Sequence, residues 1–194
     1  IRACHFPALL GVRSENAAHR IAVEWDANGE QHQGVYIPRR DTSSRLNVWA
    51  GGRFFPGRHR HADFHVKEDT NLFEVSVSSA ENGLRVFVRA RVADFLSPTS
   101  VFKSLEEASA FFERGTLGYS PSDQDGVIEG LELQSFDWKI QPLAVERVES
   151  SFFANRELFP QRSIEFDCAL LMRGIKHEWR ARAALHSGFA RPEQ

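Results

Sequence analysis

Apolar and polar residues alternate through most of the readable chain. Ile21, Val23 and Trp25 share one side of a period-two pattern, as do Phe73, Val75 and Val77, then Leu84, Val86, Val88, Ala90 and Val92, and finally Ile164, Phe166, Cys168, Leu170 and Met172. Each run predicts a strand with one buried face. The pairs Asn28-Gly29 and Asn82-Gly83 lie between such runs, where positive φ suits a hairpin turn, so consecutive antiparallel strands are expected. Helical spacing is rarer. Ser104-Leu105-Glu106-Glu107 is a capping box followed by an apolar face of Leu105, Ala108, Phe111 and Phe112 that ends near Gly115. A shorter helix opens between Asp41 and Ser44, carries Leu46, Trp49 and Ala50, and stops at Gly51-Gly52. The segment Tyr119 to Gly126 reads as a surface loop, because strand patterns flank it. About nine strands with two or three short helices make a mainly β chain, an antiparallel barrel or folded sheet.

The stretch Gly51 to Val66, GGRFFPGRHRHADFHV, concentrates the candidate chemistry. As a single strand, residues 59 to 67 would aim His59, His61, Asp63, His65 and Lys67 one way and Arg60, Ala62, Phe64 and Val66 the other. A face of His59, His61 and His65 is a weak metal candidate: Arg58, Arg60 and Lys67 put positive charge beside it, and a fourth ligand must come from elsewhere. A polar, hydrogen-bonded face is the simpler expectation, with no metal and no cofactor. Phe54 and Phe55 read as core residues rather than stacking platforms. Arg39, Arg40, Arg45 and Arg53 could gather an anionic ligand, since carboxylate recognition favours the guanidinium fork.

Composition narrows the classes. Lys+Arg at 24 against Asp+Glu at 26 gives a net charge of −2, so no global field favours nucleic acid or anionic lipid, and any basic footprint is local. Neither a nucleic-acid nor a membrane partner is expected. Cys4 and Cys168 form no metal or redox spacing, which fits a reduced, cytoplasmic protein, and Cys168 on its apolar run reads as a structural thiol. At 194 residues the chain fits one domain, residues 1–194, and because it opens on Ile1 rather than Met a further natural segment before it is expected. No nucleophile elbow or phosphate-cradling glycine loop is present in the sequence.

Taken together, GVYIPRRDTSSRLNVWAGGRFFPGRHRHADFHV, SLEEASAFFERGTLGYS and CALLMRGIKHEW resemble the acetoacetate decarboxylase-like superfamily, in its YqjF-like branch of unknown function, over about residues 19 to 185. The resemblance implies an antiparallel, cone-like β-barrel whose interior is the ligand cavity. In the decarboxylases a Gly-Arg-Glu segment is followed by Gly-x-Pro-Lys-Lys, and one lysine forms an imine with a β-keto acid. Here Gly52 and Arg53 match and Pro56 roughly does, but Phe54 replaces the glutamate, and the lysine pair falls on Gly57, Arg58 or His59. Arginine offers no free amine at neutral pH, so imine-forming decarboxylation is not expected. Lys67 and the lysine of the FDWKIQ run, Lys139, are the alternative amines, and lysines on strands usually reach for water.

The leading expectation is thus a barrel that binds a small anionic or carbonyl-containing organic ligand through Arg53, Arg58 and His59. The alternative is a lyase or hydratase acting on a keto acid, with His59, His61 or Asp63 as general acid or base. A third is an interaction module that holds no ligand.

Overall fold

The computed structural model describes residues 13–186, with residues 28 and 82 excepted. Its elements in chain order are β1 (Asn16–Ala27), β2 (Glu30–Thr42), α1 (Arg45–Ala50), β3 (Arg60–His61), β4 (Asp63–Glu68), β5 (Leu72–Ser79), β6 (Leu84–Val92), α2 (Leu105–Arg114), β7 (Leu117–Pro121), β8 (Val127–Ser135), β9 (Gln141–Ser150), β10 (Ala169–Leu171) and β11 (His177–His186). The chain is mainly β, as its alternation requires. No described helix is long and apolar enough to cross a membrane.

Both hairpins form where the glycines allow them. Ala27 pairs with Glu30 across a two-residue turn, and Ser79 pairs with Leu84 across residues 80–83. The asparagines of both turns lie outside the described residues, but Gly29 and Gly83 take φ of +81° and +66°, open to glycine at little cost. The helix caps also stand where expected. Ser104 Oγ accepts from the Glu107 amide at 3.2 Å, and the Glu107 carboxylate returns to the Lys103 amide at 2.8 Å. Ser44 Oγ caps α1 by accepting from the Asn47 amide at 3.2 Å.

The strands form two sheets, ordered β1-β2-β7-β8-β11 with β3 also on β2, and β10-β9-β6-β5-β4. Among the described residues the pairing leaves both sheets open. β2 receives β7 at Val35–Tyr36 and β3 at Asp41–Thr42, both in parallel. Between these contacts lie Ile37 and Pro38, which together face the single Arg20 of β1 as a bulge. Pro38 has no amide to give a ladder, and a bulge is where a strand tolerates that.

The predicted single strand over residues 59–67 is corrected by this topology. β3 belongs to the first sheet and β4 to the second, and Ala62, 1% exposed, is the corner between them. Its amide donates to Thr42 O at 3.0 Å, while Ser79 Oγ of the other sheet donates to His61 O at 3.0 Å. Two sheets are thereby tied through two neighbouring residues. Ala62 joins Val77 and Leu84 in the core, with Phe64, Val75, Val86 and Phe152 packed against them.

Three further expectations change. Residues 164–172 do not form one strand: only Ala169–Leu171 pairs, and Ile164 and Phe166 are 44% and 48% exposed. Asp167 explains the break, because its carboxylate accepts from Ser100 Oγ at 2.8 Å and the Val101 amide at 2.7 Å, drawing the chain to another loop. Lys139 lies beyond the end of β8 in an exposed turn, paired with Asp137 at 2.9 Å. Phe54 and Phe55 are not core residues, being 68% and 41% exposed.

Candidate functional site

The C-terminal end of β2 organises two polar regions. On one, residues 51–59 curl back on themselves through Gly52 N–H to Phe55 O at 2.8 Å, with φ of +74° at Gly52 and +84° at Gly57. Gly57 is packed as well as turned. A methyl there would stand 2.9 Å from Ser120 Cβ and 3.0 Å from Arg40 Nε, and its amide donates to Glu129 Oε2 at 2.7 Å. Beneath it Arg40 is buried, with Nε donating to Ser120 Oγ at 2.9 Å and Nη2 lacking a partner among the described residues. Burial, and then the neighbouring Arg20 charge, lower the Arg40 pKa to about 10, so it remains cationic at neutral pH.

His59 closes this corner. Its Nδ1 lies 3.1 Å from Gly57 O, and since a carbonyl only accepts, Nδ1 carries the proton of the neutral ring and Nε2 keeps its lone pair. Burial first, then Arg40, push its pKa below the usual histidine range, against smaller opposing effects of Gly57 O and Asp41. The imidazole is therefore neutral at pH 7.

The second region lies between the sheets. Asp41, fully buried, is held by the Arg39 fork, with Nη2 to Oδ1 at 2.7 Å and Nε to Oδ2 at 2.8 Å. His19, also buried, packs against Phe152 with the rings tilted by 43° and centroids 4.3 Å apart, and burial lowers its pKa more than Asp41 raises it. Beyond Phe152 opens a cleft of about 560 Å³ lined by Pro38, Arg39, Arg60, Leu84, Phe152 and Leu158, among others. Its wall is mixed, with Arg39, Arg60, Ser151 and Asn155 among the apolar groups. Arg39 is engaged by Asp41, whereas exposed Arg60 has no carboxylate partner among the described residues.

The predicted residues do not converge. Arg53 is exposed and donates to Trp49 O at 2.6 Å, and Arg58 is exposed and ion-paired with Asp123. His61 sits in the first sheet opposite Thr42, while exposed Asp63 and His65 face Ser78 and Ser76 in the second. The imidazoles of residues 59, 61 and 65 thus have three separate settings, and no group of three metal-ligating side chains gathers among the described residues. All four lysines, Lys67, Lys103, Lys139 and Lys176, are exposed.

Sequence reasoning gave no role to Ser120, Phe152 or Leu158, which nothing local marks. Arg60 carried a signal. In alternation it precedes Ala62, Phe64 and Val66, although the switch at Ala62 puts Arg60 on β3 and Phe64 and Val66 on β4. A smaller open groove of about 320 Å³, lined by Glu132, Gln134, Trp138, Arg180 and Arg182 among others, already has both arginines ion-paired, to Glu178 and Glu132. In comparisons with known proteins the chain matches no family model and no curated protein.

Proposed function

We propose that the protein binds a small organic carboxylate with an apolar portion in the cleft between its sheets, without imine chemistry. Arg60 holds the carboxylate, while Pro38, Leu84, Phe152 and Leu158 receive the apolar part. The observation that carries this reading is an arginine, Arg60, without a carboxylate partner among the described residues, lining a cleft beside Pro38, Leu84, Phe152 and Leu158. Its volume of about 560 Å³ suits a ligand of modest size. Imine formation needs an amine made nucleophilic by desolvation, and every lysine is in water instead.

The acetoacetate decarboxylase-like assignment belongs to the same proposal. In it the two sheets are walls of a cone-like barrel, the cleft is its ligand cavity, and the setting is cytoplasmic. Support comes from the mainly β architecture and from the corner at Ala62, which gives both sheets a shared inner side. Titration of a linear and an aryl monocarboxylate into the protein, followed calorimetrically, is the test. Binding that weakens by about tenfold or more in Arg60→Gln, a loss of about 1.4 kcal/mol, supports the proposal. Unchanged affinity in that variant removes Arg60 from the site.

A second reading, a lyase or hydratase acting on a keto acid, is favoured by one observation. His59 is neutral, with Nδ1 pinned and Nε2 ready to accept a proton. Turnover of a keto-acid panel without borohydride trapping, lost in His59→Asn, supports it; turnover that survives the substitution excludes His59 as the base.

A further inference from the structure

The segment between Thr42 and Ala62 contains Arg45, Arg53, Arg58 and Arg60 and no aspartate or glutamate, within a chain whose net charge is −2. On this segment four large apolar side chains stand in water: Leu46 is 53% exposed, Trp49 56%, Phe54 68% and Phe55 41%. They form a group rather than a scatter. Leu46 and Trp49 are one helical turn apart on α1, and Trp49 and Phe54 meet with ring centroids 5.3 Å apart. Arg45 lies four residues before Trp49 on the same face, and Arg53 is fixed beside it by its bond to Trp49 O. Neither Arg45 nor Arg53 has a carboxylate partner among the described residues.

Exposed apolar groups elsewhere keep different company. Val101, Phe111 and Phe112 around α2 lie close in sequence to Glu106, Glu107 and Glu113. On the α1 patch the rings stand beside Arg45 and Arg53, and its own segment holds no acidic residue. None of its residues lines either of the two clefts described above. Exposed indole and phenyl rings flanked by Arg45 and Arg53 match the boundary layer of a bilayer, where rings settle among headgroups and arginines meet phosphate and carboxylate.

From this charge match we infer that the patch of Leu46, Trp49, Phe54 and Phe55, flanked by Arg45 and Arg53, docks the protein on an anionic lipid surface. The expectation of no membrane partner rests on the global charge, whereas this footprint is local.

Co-sedimentation with phosphatidylcholine vesicles, with and without phosphatidylserine, tests the inference on the full chain. Binding should require phosphatidylserine and weaken as salt is raised. The double variant Trp49→Ala/Phe54→Ala, at exposed positions, should bind at least about tenfold more weakly with an unchanged far-UV spectrum. Arg45→Glu/Arg53→Glu should lose the preference for phosphatidylserine. A blue shift of tryptophan emission on binding, lost in Trp49→Phe, places the indole at the lipid. No sedimentation of the wild type, or equal binding by the Trp49→Ala/Phe54→Ala variant, overturns the inference. So does binding to a polyglutamate peptide but not to vesicles, which points to an acidic protein partner.

Discussion

Arg40 and Arg60 border the same end of β2, yet only one is placed to meet a ligand. Arg40 is buried under the Gly57 turn and bonded to Ser120, in a corner already filled by backbone. Arg60 is exposed, with Phe152 and Leu158 lining the same cleft and no carboxylate to neutralise it among the described residues. The guanidinium group is the same in both. Burial makes one a structural cation; on the proposed reading the other, in water beside Phe152 and Leu158, is the group that meets a ligand carboxylate.

The sharpest way to break this contrast is to disturb the packed corner alone. Gly57→Val imposes a branched side chain at φ +84° and drives it against Ser120 and Arg40. Chemical denaturation should show a loss of about 2 to 5 kcal/mol, and a loss below about 1 kcal/mol would mean that the corner is not tightly packed. Arg60→Gln is the counterpart. It should cost the cleft its carboxylate affinity while changing stability by no more than about 0.5 kcal/mol, as surface substitutions usually do.

Acid sharpens the comparison next. His19 and His59 have folded-state pKa values below those of the unfolded chain, so the unfolded state binds more protons as pH falls from about 6.5. Stability is therefore complete above that pH and declines below it. Thermal melting between pH 7 and 5 should fall, and His59→Asn, which keeps a donor for Gly57 O, should flatten the slope. An unchanged slope would mean that His59 is not desolvated. The smallest effect concerns Cys168, whose pKa burial and the neighbouring Asp167 raise to about 11. In a Cys4→Ser background its reaction with iodoacetamide at pH 8 should be much slower than that of a free thiol.

Local signals in the sequence were enough for the hairpins and helices. Each hairpin turn needed a glycine at positive φ, and each helix began with a serine whose hydroxyl satisfied a free amide. The switch at Ala62 was not legible, since alternation runs unbroken from His59 to Lys67 whichever sheet the residues join. The exposure of Phe54 and Phe55 was hidden for a related reason. Composition says that phenylalanine prefers burial, but the tight turn between Gly52 and Gly57 leaves these rings no inner side to reach. For the site, expectation fell on Arg53, Arg58 and His59, and Arg60 was read only as positive charge beside the histidines. Arg40 was not distinguishable from Arg39, because its partner Ser120 lies 80 residues away and is brought there by β7 pairing in parallel with β2.

Arginine footprinting with phenylglyoxal, read by mass spectrometry with and without a saturating carboxylate, tests the contrast most directly. The account predicts that Arg60 is modified readily and protected by the carboxylate, while Arg40 stays unmodified until the protein unfolds. Modification of Arg60 that the carboxylate does not slow, or protection that falls on Arg40 instead, would contradict it.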